Sequence, residues 1–342
     1  MLQPFGATPV HAKVSSLMNK PAVRPFSLAD AESLTAQMPA LEFDPARDAV
    51  WAKSEAAQHY LDYYEINFAA ADSSLIHGFG ALPAAGFTIA THYWLPPKPR
   101  GTLVIVHGYY DHLGIFDHAI AFGLQQGLAV LAFDLPGHGL SSGERAAIDS
   151  FDQYADVLQQ LLVRAQGLLP SLFYALGQST GGAVLLNHLW RYPARFERIA
   201  LCAPLILPRG WWSGRVLYWL LHPWVKELPR GRSHSSQDER FIRFIDEQDC
   251  LQSKKLSVRW VGAMKAWHRQ FLQFSPRPDE LLVVQGTADM TVAWRYNTRL
   301  IQRKLPQASL VYIPAAGHQL VNEIPACRAI LFDEIRRHFF ND

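Results

Sequence analysis

What most limits the possible folds of this chain is a series of short, continuous apolar runs, each ending in a polar or glycine-containing turn that leads into a helical segment. They are Thr102 to Val106, Ala129 to Phe133, Leu172 to Leu176, Arg198 to Cys202, Leu281 to Gln285 and Leu310 to Ile313. A strand that alternates apolar and polar residues buries one face, whereas a continuously apolar one buries both. Strands of the second kind, separated by helices, make a parallel sheet covered by helices on each side. We therefore expect an α/β fold with a mostly parallel, doubly wound sheet.

Ahead of this pattern, Ile76 to Gly80 and Phe87 to Trp94 read as two antiparallel strands. Between Trp51 and Phe68, apolar residues recur near helical spacing and predict one helix. Pro21, Pro25, Pro39 and Pro45 make residues 1 to about 50 read as an extended or loosely packed arm. The alternation lapses between about Leu205 and Phe274, where Trp211, Trp212, Trp219, Trp224, Trp260 and Trp267 concentrate. These aromatics either pack an insertion against the sheet or form a lid with an acyl-binding wall. The expected division is an N-terminal extension (1–75), a core (76–204), an inserted cap (205–274) and the rest of the core (275–342).

Composition narrows the function. With 342 residues, the chain can bury a sizeable core. Lys and Arg number 32 against 30 Asp and Glu, too even a balance for the electrostatic footprint of a nucleic-acid binder. Cys202, Cys250 and Cys327 fit neither a disulfide framework nor a zinc site. No secretory leader or long apolar span is legible, so a cytoplasmic location is expected. The interrupted apolar run Trp211 to Val225 leaves peripheral contact with a lipid surface open. Oligomeric state is not legible. No phosphate-cradling or dinucleotide motif stands in a strand-turn-helix setting, and no cofactor is expected. His107, Asp111, His112, Asp117 and His118 cluster without a recognised metal-ligand spacing, so no metal is expected either.

Chemistry concentrates at the ends of the apolar runs. Gly177-Gln178-Ser179-Thr180-Gly181 follows one run and precedes the helical stretch Ala183 to Trp190, where a strained turn projects the serine hydroxyl from the sheet. A second run ends in Gly286-Thr287-Ala288-Asp289 and a third in Pro314-Ala315-Ala316-Gly317-His318. Carboxyl ends of parallel strands lie along one edge, so these three side chains can converge there. Ser179 then reads as nucleophile, His318 as general base and Asp289 as the carboxylate that orients the base. Asp134, His138 and Glu323 are the rivals. Asp134 and His138 precede the serine and read better as supports for the loop after their own strand. The expected oxyanion donors are the backbone N–H groups of Thr180 and Tyr109, with His107 supporting the loop.

On these residues the chain resembles the α/β-hydrolases of the monoacylglycerol lipase and lysophospholipase type, grouped with serine aminopeptidase-like hydrolases. The likeness runs from roughly Gly101 to Phe340. It rests on His107-Gly108 with Asp111-His112, the stretch Phe133 to Gly143, the Ser179 turn, and the Asp289 and His318 turns. It implies a cap over the site and hydrolysis of a small-molecule ester or lipid, here single-chain esters through an acyl-enzyme. An amidase or peptidase of the same fold, or a non-catalytic binding protein, are the alternatives. Gln178 and Thr180 replace the histidine and methionine that flank the nucleophile in many relatives, and Tyr109 and Tyr110 are bulky for this loop. Tyr110, Trp212 and Trp219 are the candidate substrate-binding side chains.

Overall fold

A computed structural model of the chain describes residues 23–211, 224–231 and 234–341. Its strands are β1 (Ile76–Ala84), β2 (Phe87–Leu95), β3 (Thr102–Val106), β4 (Ala129–Phe133), β5 (Phe173–Gln178), β6 (Phe196–Cys202), β7 (Glu227–Pro229), β8 (Lys255–Ser257), β9 (Leu282–Gly286) and β10 (Ser309–Ile313). Eight of them make the central sheet, in the order β1-β2-β4-β3-β5-β6-β9-β10. Only β2 runs against its neighbours β1 and β4; every other pair in this sheet is parallel. All residues of β3, β4 and β9 are buried, as their unbroken apolar runs require.

The strand order reverses beside β3. The chain steps to β4 on one side and returns to β5 on the other, leaving Val106 paired with Gly177 at the carboxyl edge. Such a reversal opens a crevice between the loops that follow the two strands. One apolar cluster lies on each face of the sheet. On one face, helix α5 (Phe151–Ala165) buries Tyr154, Leu158, Leu161 and Leu162. Ser150 and Gln153 close its first turn as a capping box. On the other face lie α4 (Asp117–Gln125) and α8 (Pro325–Phe340), where Phe122 stacks on Phe332.

The N-terminal region corrects two expectations. Between Trp51 and Phe68 the chain forms no single helix but α2 (Pro45–Ala52), α3 (Glu55–Tyr63) and a single turn, Phe68–Ala71. Ser54 restarts the helix by accepting from the Ala57 N–H, and Glu65 leaves it at φ 57°. The described part of the expected loose arm is instead packed. Helix α1 (Leu28–Gln37) is capped by Ser27 and Asp30, Leu34 and Phe26 are buried, and Ala40 bridges Ala81 of β1.

Between β6 and β9 the chain makes a small ribbon, β7 against β8, which leads into α7 (Val258–Gln273). Trp260 stacks on Tyr109 with ring centroids 3.8 Å apart, and Trp267 lies parallel to Phe151 and donates to the Leu205 carbonyl. These two tryptophans therefore pack the insertion against the sheet domain. Trp224 is exposed, while Trp212 and Trp219 lie outside the described residues. Among the described residues, no helix is long and apolar enough to cross a membrane.

Candidate active site

Ser179 stands between β5 and α6 (Thr180–Arg191) with φ 54° and ψ −111°, a region that costs a side chain about 1–3 kcal/mol. The surroundings hold it there. Its N–H donates to the Cys202 carbonyl at 2.8 Å, and its own carbonyl accepts from Ala183 and Leu205. Close packing of this turn explains its glycines: a Cβ on Gly181 would lie 1.9 Å from the Val106 carbonyl oxygen.

Asp289 follows β9 and His318 follows β10, and the neighbouring strands bring both to the serine. His318 Nε2 lies 2.9 Å from Ser179 Oγ, and His318 Nδ1 lies 2.8 Å from Asp289 Oδ2. A carboxylate only accepts, so Nδ1 carries the proton and Nε2 presents a lone pair to the hydroxyl. Asp289 is held by four donors: His318, the N–H groups of Thr291 and Val292, and Gln285 Nε2. Burial works against its charge, but the His318 charge and hydrogen bonds outweigh it and keep the carboxyl below its ordinary range. Burial likewise opposes charge on His318. The charge and hydrogen bond of Asp289, with Asp111 in support, prevail and raise its pKa above the usual histidine value.

The loop after β3 closes the other side. Tyr109, Thr180 and Ser179 line one cavity of about 220 Å³, shared with Leu205, Leu256 and Trp260. Thr180 is the first residue of α6, where backbone N–H groups have no helical acceptor. Tyr109 is clamped from outside the loop: its hydroxyl donates to the Ala146 carbonyl and accepts from the Ser257 N–H, while its ring rests on Trp260. Tyr110 lines the same cavity at φ 71°.

The rivals hold structural places. Asp134 accepts from the N–H groups of Leu113 and Leu140, both at 2.7 Å, and His138 Nδ1 donates to the Pro136 carbonyl. His107 supports the loop as expected, accepting from the Leu135 N–H at Nε2 and donating to the Gly108 carbonyl from Nδ1. Glu323 accepts from the N–H groups of Gly317, Gln237 and Ile324, beneath the turn that carries His318. The cluster weighed as a metal site separates: Asp111 meets Gln319, His112 meets Asp249, and His118 meets Asp117. Among the described residues, no group of His, Cys, Asp or Glu is arranged to hold a metal ion.

Several residues of the site escape sequence reasoning. The Ser235 carbonyl accepts from the N–H groups of both His318 and Gln319, and Gln178 Nε2 donates to the His318 carbonyl at 2.8 Å. Gln319 donates to both oxygens of Asp111, tying the base's loop to the loop after β3. The only available signal was position, since Gln178 and Gln319 adjoin the nucleophile and the base.

The family model for serine aminopeptidase, S33, matches residues 97–325. Human monoglyceride lipase is 30% identical over 266 residues, covering 74% of this chain and 86% of that protein. A monoacylglycerol lipase of Mycolicibacterium smegmatis is 33% identical over 133 residues, 38% of this chain. The chain spans 46% of the length of that protein, and 22% of an uncharacterised abhydrolase domain-containing protein of Dictyostelium discoideum. Among solved structures, the monoacylglycerol lipase of Paleococcus ferrophilus superposes with a TM-score of 0.62 at 20% identity, over 74% of this chain and 99% of that one.

Proposed function

The chain belongs to the serine aminopeptidase S33 family of α/β-hydrolases, and from that premise we propose that it cleaves carboxylic esters of single-chain lipids through an acyl-enzyme on Ser179. One observation carries this reading: Ser179, His318 and Asp289, from three strand ends, form a continuous hydrogen-bonded chain of 2.9 and 2.8 Å. As Ser179 Oγ attacks the acyl carbon, His318 Nε2 takes its proton and Asp289 stabilises the imidazolium. The charge gathered on the carbonyl oxygen is met by the N–H groups of Thr180 and Tyr109. His318 then returns the proton to the departing alcohol, and water repeats the sequence to free the acid.

An ester with one acyl chain fits the surroundings. Leu205, Leu256, Val292 and Trp260 give the cavity apolar walls, and the human and mycobacterial relatives are a monoglyceride lipase and a monoacylglycerol lipase. Residues from about 205 to 274 form the cap over this cleft, to which Leu256 and Trp260 already contribute. Trp224, exposed near the end of the apolar run Trp211 to Val225, is the point of contact with a lipid surface. The test is a series of esters from acetyl to dodecanoyl, with a dodecanoyl amide alongside, below micelle formation. Each accommodated methylene is worth about 0.8 kcal/mol, so kcat/KM should climb by one or two orders of magnitude before the cleft is full. Equal constants along the series, or faster cleavage of the amide, would remove this reading.

A further inference from the structure

Hydrolytic chemistry leaves one charge in the cleft unused. Arg230, which follows β7, lines the same cavity as Ser179 and His318. Its guanidinium carbon lies 4.2 Å from the centroid of the Tyr110 ring. One guanidinium nitrogen donates to Gln252 Oε1, and its backbone N–H donates to the Lys254 carbonyl at 2.9 Å. Tyr110 is thus the platform on which the cation rests. Stacking over an aromatic face steadies a guanidinium without neutralising it.

No carboxylate forms an ion pair with Arg230 among the described residues. Asp111 lines the cavity too and its charge attracts Arg230 at a distance, but it is buried and its oxygens accept from Gln319 Nε2, at 2.8 and 2.9 Å, rather than from the guanidinium. A half-buried cation with idle donors and no carboxylate in direct contact can take up a charged ligand oxygen. The planar fork of a guanidinium suits the oxygens of a phosphate, which carries the head-group charge in a single-chain glycerolipid.

We propose that Arg230, held by Tyr110, is a specificity-determining residue that binds a head-group phosphate, so that the preferred substrates are single-chain glycerolipid esters bearing phosphate rather than uncharged monoacylglycerols. The inference rests on the ester-hydrolase reading above and names the substrate class of that same site. It is tested by kcat/KM for 1-lauroylglycerol 3-phosphate against 1-monolauroylglycerol, at one ionic strength and below micelle formation. Charge-assisted hydrogen bonds predict a preference of roughly 10- to 100-fold for the phosphate ester. Arg230→Gln should bring that ratio close to one, and Arg230→Glu should invert it. A wild-type ratio of one or less, or an unchanged ratio in folded Arg230→Gln, overturns the assignment. A measurement free of variants stands beside it: dodecyl phosphate should inhibit the wild type more tightly than dodecanol, and equal inhibition overturns the assignment. Fluorophosphonate labelling separates the two levels. Wild type labelled on Ser179 but indifferent to phosphate refutes the role of Arg230 alone, whereas folded wild type that resists labelling refutes the hydrolase reading and this inference with it.

Discussion

Replacing Asp289 by asparagine exchanges one accepting oxygen for a donating NH₂ group, at a carboxylate whose every partner is itself a donor. Thr291 and Val292 N–H reach Oδ1, while His318 Nδ1 and Gln285 Nε2 reach Oδ2. If the remaining oxygen of asparagine stays on the backbone pair, the NH₂ group faces the other two donors. His318 can relieve its clash only by moving its proton to Nε2, the atom that must accept the proton of Ser179. The base is then lost while the fold remains. Catalysis with the histidine in the wrong tautomer falls by about 10⁴-fold, and the donor facing Gln285 costs about 1–3 kcal/mol of stability. Steady-state turnover of a medium-chain ester, with chemical denaturation of both proteins, measures the two effects. A folded Asp289→Asn variant within tenfold of wild-type turnover would refute the assigned tautomer and the role of Asp289.

The same geometry predicts two further outcomes. Because Asp289 raises the His318 pKa and the base works only when neutral, kcat/KM should rise with pH through a midpoint above about 6.5. An acid limb centred below about 6 would contradict that balance. Asp134→Asn should mainly weaken the fold, by about 1–3 kcal/mol, because Asp134 serves the Leu113 and Leu140 N–H groups rather than His318. Greater damage to turnover per folded molecule than from Asp289→Asn would move the acid role to Asp134.

The contrast between what the sequence disclosed and what it hid has physical causes. Strands β3 and β4 match the expected Thr102 to Val106 and Ala129 to Phe133 because a doubly buried strand has no polar positions to blur its ends. Ser179 and Asp289 stand out because each follows such a run and carries a recognisable chemistry; His318 follows the shorter apolar run of β10, an edge strand that is largely half-buried or exposed. The helix expected from Trp51 to Phe68 fails because apolar spacing continues past Ser54, and a cap hydrogen bond, not hydrophobicity, divides it. The packed arm was hidden for the opposite reason: α1 buries only Ala31 and Leu34, too few positions to show a period. Gln285, Gln319 and the Ser235 carbonyl were illegible because their part is to satisfy donors and acceptors met through the fold. Gln319 reaches Asp111 across 208 positions of sequence.

The central claim is that Ser179 is a hydroxyl activated for attack, and mapping a covalent adduct tests it most directly. Wild-type protein treated with a fluorophosphonate should gain a single phosphonyl group, located by peptide mass spectrometry on Ser179, and folded Ser179→Ala should gain none. An adduct on a different serine, or folded wild-type protein that gains no mass at all, would contradict the claim.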